Sequence, residues 1–283
     1  DGITYETDAP VQYETRGAVA WITMDRAKYN NAQNSQMTYA LDDAFRRAVD
    51  DVAVRAIVLA GAGKHFSAGM DLGVFTGESS LLDGGGVREE GRRRATFWLA
   101  VQHLQASFTA LERCRMPVLA AIQGGCIGGA VDMVSACDLR YASADAFFCV
   151  QEINIGMTAD VGTLQRLPKI IPEGVARELA YTGDRMPAGR AKEVGLVNEV
   201  YPDHESLVSG VLEIAARIAS KSPLAIWGTK EMLNFTRDHS VADSLRYMAG
   251  WQSGMFQPGD MMEEFGAKAD KRPATFEELP KRA

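Results

Sequence analysis

Two segments of the chain share one design: an apolar strand that runs straight into a turn rich in small residues. The first is Ile57-Val58-Leu59-Ala60 into Gly61-Ala62-Gly63-Lys64-His65-Phe66-Ser67-Ala68-Gly69-Met70-Asp71-Leu72. The second is residues 119–123 into Gly124-Gly125-Cys126-Ile127-Gly128-Gly129, ahead of an apolar helix. An all-apolar strand is of the buried kind, so each turn must start at the end of a core strand. Turns of this composition can leave backbone N–H groups pointing outward. A helix start adds unpaired donors, and the combination favours an anion or a developing oxyanion. Either loop alone reads more readily as a tight turn that lets a helix pack closely.

The surrounding pattern predicts a mixed α/β core. Strands are expected at 19–24, 55–60, 117–122, 139–142 and 146–150, and helices at 35–49, capped by Ser35, and at 130–136. Residues 93–114 carry Phe97, Leu99, Val101, Leu104, Phe108 and Leu111 at roughly helical spacing and predict a long amphipathic helix. Residues 72–92 are polar, with Gly84-Gly85-Gly86 at the centre, and predict a flexible surface loop. From Glu205 onward no strand signal remains, and helices are expected at 205–220, 223–235 and 241–255. The organisation expected is a core region at 1–204 and a helical region at 205–283. With 283 residues, 46% hydrophobic and 24% charged, the chain can bury a sizeable core.

Several function classes are disfavoured. A net charge of −7 argues against a binder of nucleic-acid backbones. No apolar stretch approaches the ~20 residues that span a bilayer. Cys114, Cys126, Cys137 and Cys149 form no C-x-x-C pair and read as reduced, buried residues. No signal peptide is evident and Pro280-Lys281-Arg282-Ala283 is not the peroxisomal tripeptide, so the expected location is the cytoplasm. A Rossmann fingerprint fails because Cys126 stands where the second glycine is required. Gly63-Lys64 is not followed by Ser or Thr, and Ser67 lacks the first glycine of a nucleophile elbow. His65, His103, His204 and His239 match no zinc spacing, so no metal is expected.

Three carboxylates have apolar neighbours: Asp132 in Ala130-Val131-Asp132-Met133, Glu152 in Val150-Gln151-Glu152-Ile153, and Asp160 in Ala159-Asp160-Val161. A carboxylate in such a setting is costly unless it is paired or functional. Singly, each reads as well as a helix cap or an ion-pair partner of Arg140, Arg166 or Lys169. Arg92-Arg93-Arg94 reads as a solvated helix face.

Through Phe66-Ser67-Ala68-Gly69-Met70-Asp71-Leu72 and Ala121-Ile122-Gln123-Gly124-Gly125-Cys126-Ile127-Gly128-Gly129-Ala130-Val131-Asp132 the chain resembles the crotonase, or enoyl-CoA hydratase/isomerase, superfamily. Over residues 11–260 it is similar to the Δ3,5-Δ2,4-dienoyl-CoA isomerase group. The segments Ala159-Asp160-Val161-Gly162-Thr163-Leu164-Gln165-Arg166-Leu167-Pro168-Lys169 and Arg237-Asp238-His239-Ser240-Val241 carry that closer likeness.

The resemblance implies a crotonase-type spiral of ββα units with a helical C-terminal region used for trimerisation, as a homotrimer or hexamer. It implies an oxyanion hole from the N–H groups of Met70 and Gly129. Ala68, Gly69, Met70, Asp71, Leu72 and Gly129 would bind substrate around the thioester. Glu152 matches the shared acid/base glutamate, Asp132 sits where hydratases usually have a second glutamate, and Asp160 sits where they have glycine. The activity implied is a shift of the double bonds of 3,5-dienoyl-CoA to the 2,4 positions, in fatty acid β-oxidation. One carboxylate would act at C2 and another at C6, with Asp132 tuning the pair; analogy with the hydratase glutamate favours Glu152 at C2 and Asp160 at C6, and the reverse order stays open. No cofactor is implied, since CoA is part of the acyl-CoA substrate. The alternatives are hydration of 2-enoyl-CoA, or an RNA-binding relative, against which the net charge and the three carboxylates count.

Overall fold

A computed structural model describes residues 9–76, 89–256 and 258–281; the segment centred on Gly84 lies outside the described residues. The apolar runs pair with one another. Strands β1 (Val11–Arg16) and β2 (Val19–Met24) form a hairpin, and after helix α1 (Ser35–Asp50) strand β3 (Ala56–Gly61) joins β2 in parallel. The first glycine-rich loop, α2 (Gly73–Thr76) and α3 (Glu90–Arg113) lead to β4 (Val118–Ile122), parallel to β3. Next come β5 (Gly125–Ile127), α4 (Gly129–Ser135), β6 (Leu139–Ser143) and β7 (Phe147–Cys149). They are followed by α5 (Thr163–Arg166), α6 (Glu173–Thr182), β8 (Met186–Pro187), α7 (Ala188–Glu193) and β9 (Glu199–Tyr201). The rest of the described chain is helical: α8 (His204–Ala219), α9 (Pro223–Thr236), α10 (Val241–Met255) and α11 (Pro258–Asp270).

The large sheet has the order β1-β2-β3-β4-β6-β9 and the small one β5-β7-β8. Successive strands therefore go to different sheets: β4 to the large and β5 to the small, then β6 and β7 in the same way. The first loop follows suit, since Ser67 beyond β3 bridges in parallel to Cys126 of β5. This repeated step is the ββα spiral.

The large sheet is buried on both faces, which is why its parallel strands read as continuous apolar runs. Ile22, Met24, Ile57, Leu59, Val118 and Ile122 face the main core with Met37 and Phe45 of α1 and Phe108 and Leu111 of α3. Trp21, Val58, Leu119 and Tyr141 face the other way, where α8 covers them with Leu207, Val211, Ala215 and Ala219. Those four recur every fourth residue and make one helical stripe. The C-terminal helical region thus begins inside the core packing, and exposed apolar side chains gather farther on, in α9 to α11.

Local differences from the sequence reading have simple causes. The cap of α1 is Asn34, whose side chain accepts Met37 N–H, and Ser35 is the first helical residue. Leu99 is exposed because it lies off the stripe that buries Phe108 and Leu111. Strands β1 and β9 carry polar residues on edge positions, and β5 and β8 have only three and two residues, too short for a period.

Lys230 of α9 fastens the C-terminal helices to the core. Its buried ammonium donates to Leu111 O and Met116 O, at 2.9 Å each, and to Asp138 Oδ2 at 2.7 Å. Asp138 also accepts Val118 N–H, so it keeps one partner if the lysine is lost. Lys230→Met should therefore cost about 3 kcal/mol, the lower end for a broken buried pair. A shift of the urea midpoint measures it, and an unchanged midpoint would show that α9 is held by packing alone.

Candidate active site

The first glycine-rich loop is shaped by buried polar groups that precede it in sequence. Asn31, fully buried at φ +54, donates through Nδ2 to Ala62 O and His65 O at 2.9 Å and accepts Arg26 N–H at the same distance. Gln123 at the end of β4 donates to Gly61 O at 2.5 Å. His65 Nδ1 accepts Gly125 N–H at 2.8 Å, and burial and neighbouring Lys64 push its pKa down, as suits a neutral acceptor. The two loops are thereby stitched together, with Ser67 N–H donating to Gly125 O and Ile127 N–H to Ser67 O, both at 3.1 Å.

This stitching directs Met70 and Gly129. Gln33 N–H donates to Gly69 O (2.7 Å) and Asp71 N–H to Gln33 O (3.0 Å). The bridge uses the groups on either side of Met70, so Met70's own N–H points to the opposite side. Gly129 is the first residue of α4, where an N–H has no acceptor within the helix. Gly69, at φ +82, brings the loops to close contact: a Cβ there would overlap Ile127 O and stand 3.1 Å from Gly129 N. Both N–H bearing residues line a cleft of about 340 Å³ together with Ala68 and Leu72.

All three carboxylates reach the same cleft. Asp132 is 1% exposed on α4, and its Oδ1 accepts Thr163 N–H at 2.6 Å. Glu152 lies in a 3₁₀ turn after β7, against Gly128, where a Cβ would stand 3.2 Å from its Oε1. Its Oε2 is buried without a hydrogen-bond partner among the described residues. Burial pushes Glu152 up to about 7 against a hydrogen bond from its own backbone N–H, with the charges of Asp132 and Asp160 adding to the rise. Burial also raises Asp132, with Asp160 adding to it and Thr163 N–H opposing, and it raises Asp160. Asp160 is held through its carbonyl, which accepts from Gln105 Nε2 at 2.7 Å.

Asp71, expected among the substrate-binding residues, is turned away: it pairs with Arg26 at 2.7 Å and accepts Gly73 N–H, which hold its carboxyl below the usual range. Gly69 lies behind the cleft wall. The cleft has further walls that the sequence reading treated as helix core or did not single out. Phe97, Val101 and Leu104 of α3 form one apolar wall at i, i+4 and i+7, and Arg185, stacked 4.5 Å over Phe147, stands on another. Among the described residues no cluster of His, Cys, Asp and Glu is arranged to hold a metal ion.

The family model described as enoyl-CoA hydratase/isomerase matches residues 14–279. The chain belongs to the enoyl-CoA hydratase/isomerase family. Within this family it is 41% identical over 257 residues to a human protein named mitochondrial Δ(3,5)-Δ(2,4)-dienoyl-CoA isomerase, covering 90% of this chain and 77% of that one. It is 40% identical over 280 residues to the peroxisomal isomerase of the same name from Arabidopsis thaliana, covering 98% and 99%. The solved structure of an enoyl-CoA hydratase from Bacillus anthracis superposes with a TM-score of 0.83 at 29% identity, covering 94% of this chain and 98% of that one. The crotonase fold is therefore established. The expectation of a cytoplasmic protein is overturned, because the named isomerases are mitochondrial or peroxisomal.

The buried carboxylate of Glu152 makes a stability prediction. Its folded-state pKa of about 7 lies above the ordinary value of 4.5, so its stabilising contribution is complete below 4.5 and lost as pH rises through 7. Glu152→Gln removes that loss. The variant should gain about 2.5 kcal/mol on the parent between pH 5 and pH 8. Denaturation midpoints at the two pH values test this; a gap that does not change with pH would mean that Glu152 ionises as if exposed.

Proposed function

We propose that this enoyl-CoA hydratase/isomerase family member is an enzyme that converts 3,5-dienoyl-CoA to 2,4-dienoyl-CoA. The observation that carries the reading is the third acid: Asp160 lines the same cleft as Asp132 and Glu152, beside two outward backbone N–H groups. The names of the human and Arabidopsis relatives agree with it.

In this reading the thioester oxygen sits between the N–H groups of Met70 and Gly129. Removing a proton from C2 sends negative charge to that oxygen and along the conjugated chain to C6. A fixed donor at such an oxygen is worth ~3 kcal/mol in the transition state. Glu152, against Gly128 and one residue from the Gly129 donor, takes the C2 proton. Asp160 delivers a proton to C6, and the double bonds move to C2–C3 and C4–C5. The reactive state has Glu152 ionised and Asp160 protonated, and no other reactant is consumed. Burial pushes both carboxyls up, and Glu152, at about 7, can ionise near neutral pH to act as the base. Asp132, fixed by Thr163 N–H, adds its charge to the pair. The apolar wall of Phe97, Val101 and Leu104 suits an acyl chain.

We also propose that α9 to α11 form the contact of a trimer or a dimer of trimers. Leu233, Leu245 and Phe265 are 68%, 66% and 59% exposed on consecutive helices, and apolar side chains grouped in this way mark an interaction surface.

The purified protein should convert 3,5-dienoyl-CoA without added cofactor, followed by the ultraviolet absorbance of the conjugated product. Glu152→Gln and Asp160→Asn should each lower kcat at least ~100-fold with little change in KM. Hydration of 2-enoyl-CoA without dienoyl turnover would overturn the assignment. Near-normal turnover in Asp160→Asn would make Asp160 structural. Sedimentation should give three or six copies, and a monomer would refute the contact.

A further inference from the structure

The loop that carries Asp160 is a partition. Val161 lines the reaction cleft on one side and a polar hollow of about 410 Å³ on the other, whose walls include Thr109, Glu112 and Arg166. Backbone with space on both sides has to be held, because a misplacement of ~1 Å can cost on the order of 100-fold in rate. From the cleft side the hold is Asp132, through Thr163 N–H.

From the hollow side Gln105 Nε2 donates to Asp160 O at 2.7 Å, and the second hold is Arg166. Its Nε and Nη2 donate to Glu112 Oε2 at 3.1 and 3.0 Å, and Nη2 also donates to Thr109 Oγ1 at 3.1 Å. Both charged side chains are 13% exposed, so this fork is sheltered from water. The remaining guanidinium nitrogen, Nη1, is pressed against the loop: Gly162 has φ +136, and a Cβ there would overlap that nitrogen. Glu112 is fixed in turn from the C-terminal helices, by an ion pair with Arg237 and by Asn234 Nδ2 donating to its carbonyl at 2.9 Å. Lys169 pairs with Asp238 alongside. The two sequence segments with the closer likeness to the isomerase group, 159–169 and 237–241, therefore meet at one ion-paired seam.

We propose that Arg166 is the positioning residue for Asp160, and that the relay Arg166–Glu112–Arg237 ties the proton-delivering loop to the junction of α9 and α10. The proposal rests on the isomerase reading above. Arg166 does not touch the substrate. It sets where the Asp160 carboxyl stands relative to C6 while leaving the Met70 and Gly129 donors and Glu152 in place.

The two proton transfers can be read separately in D2O. Loss of deuterium-free C2 positions in recovered 3,5-dienoyl-CoA reports the step at C2, and formation of 2,4-dienoyl-CoA reports completion at C6. In Arg166→Met, product formation should fall ~30-fold, within the range that misplacement of a reacting group produces. KM and the rate of C2 exchange should each stay within about threefold of the parent, since the groups that act there are untouched. Arg166→Lys keeps the charge but loses the fork and should fall between parent and Arg166→Met. Thr109→Val removes one acceptor of Arg166 and, with it, the hydroxyl's donation to Gln105 O on the same helix; it should lower product formation about threefold, and serves if Arg166→Met does not fold. Parallel loss of exchange and product in the variants, or full turnover in Arg166→Met or Thr109→Val, would overturn the proposal. A parent that forms no 2,4-dienoyl-CoA at all would instead refute the isomerase reading, and that result is seen before any variant is compared.

Discussion

The arrangement of the site depends on one pairing: the first glycine-rich loop laid in parallel along β5, through Ser67 N–H to Gly125 O and Ile127 N–H to Ser67 O. A backbone N–H can face a cleft unpartnered only where the rest of its loop is held by other bonds. Here Asn31, Gln123 and His65 bind the carbonyl and amide groups that the turns leave over. Gln33 takes Gly69 O and Asp71 N–H and leaves Met70 N–H free to face the other way. A shift of the loop by one residue would aim a carbonyl where the N–H now points, so the buried amides fix the electrostatic sign of the site.

The acids follow from the same construction. Because β4 and β6 each hand the chain to the small sheet within a few residues, α4 and the turn after β7 start side by side, and Asp132 and Glu152 are delivered to one cleft. The surrounding side chains are apolar, so the acids share few compensating partners and burial raises them together. Glu152 bears the largest cost, with an oxygen that no hydrogen-bond donor among the described residues meets. A fold selected for stability alone would pair or remove such a group. Its persistence in a cleft beside two free N–H donors is the physical argument for proton transfer there.

Much of this was legible in the sequence, for reasons that can be named. Doubly buried strands such as β3 and β4 have no polar positions, so their ends and the small-residue turns beyond them stand out. The apolar neighbours of Asp132, Glu152 and Asp160 signalled burial, and the family motifs supplied the N–H pair. What stayed hidden were contacts between polar residues far apart in the chain. Nothing near Asn31 announces that its side chain organises residues 62–65, and Asp71 sits in a binding motif while its carboxylate serves Arg26. Arg166 was a candidate partner for the carboxylates, and only the packing of α3 shows that Glu112 holds it. Short strands escape for another reason: two or three residues cannot display a period.

The two halves of the chemistry are also built differently. Met70, Gly129 and Glu152 belong to segments fixed by sheet pairing and backbone hydrogen bonds. Asp160 belongs to a loop without strand or long helix, held by side chains from α3 and α4 and, through Glu112, from the α9–α10 junction. Backbone pairing tolerates substitution of side chains, whereas a side-chain hold is lost with a single residue. A scaffold of this kind can keep the polarising step constant and change which proton transfer follows it by altering one loop and its supports. In this chain those supports include an ion pair, so the reach of the C-terminal helices extends to within a few residues of the acid assigned to C6.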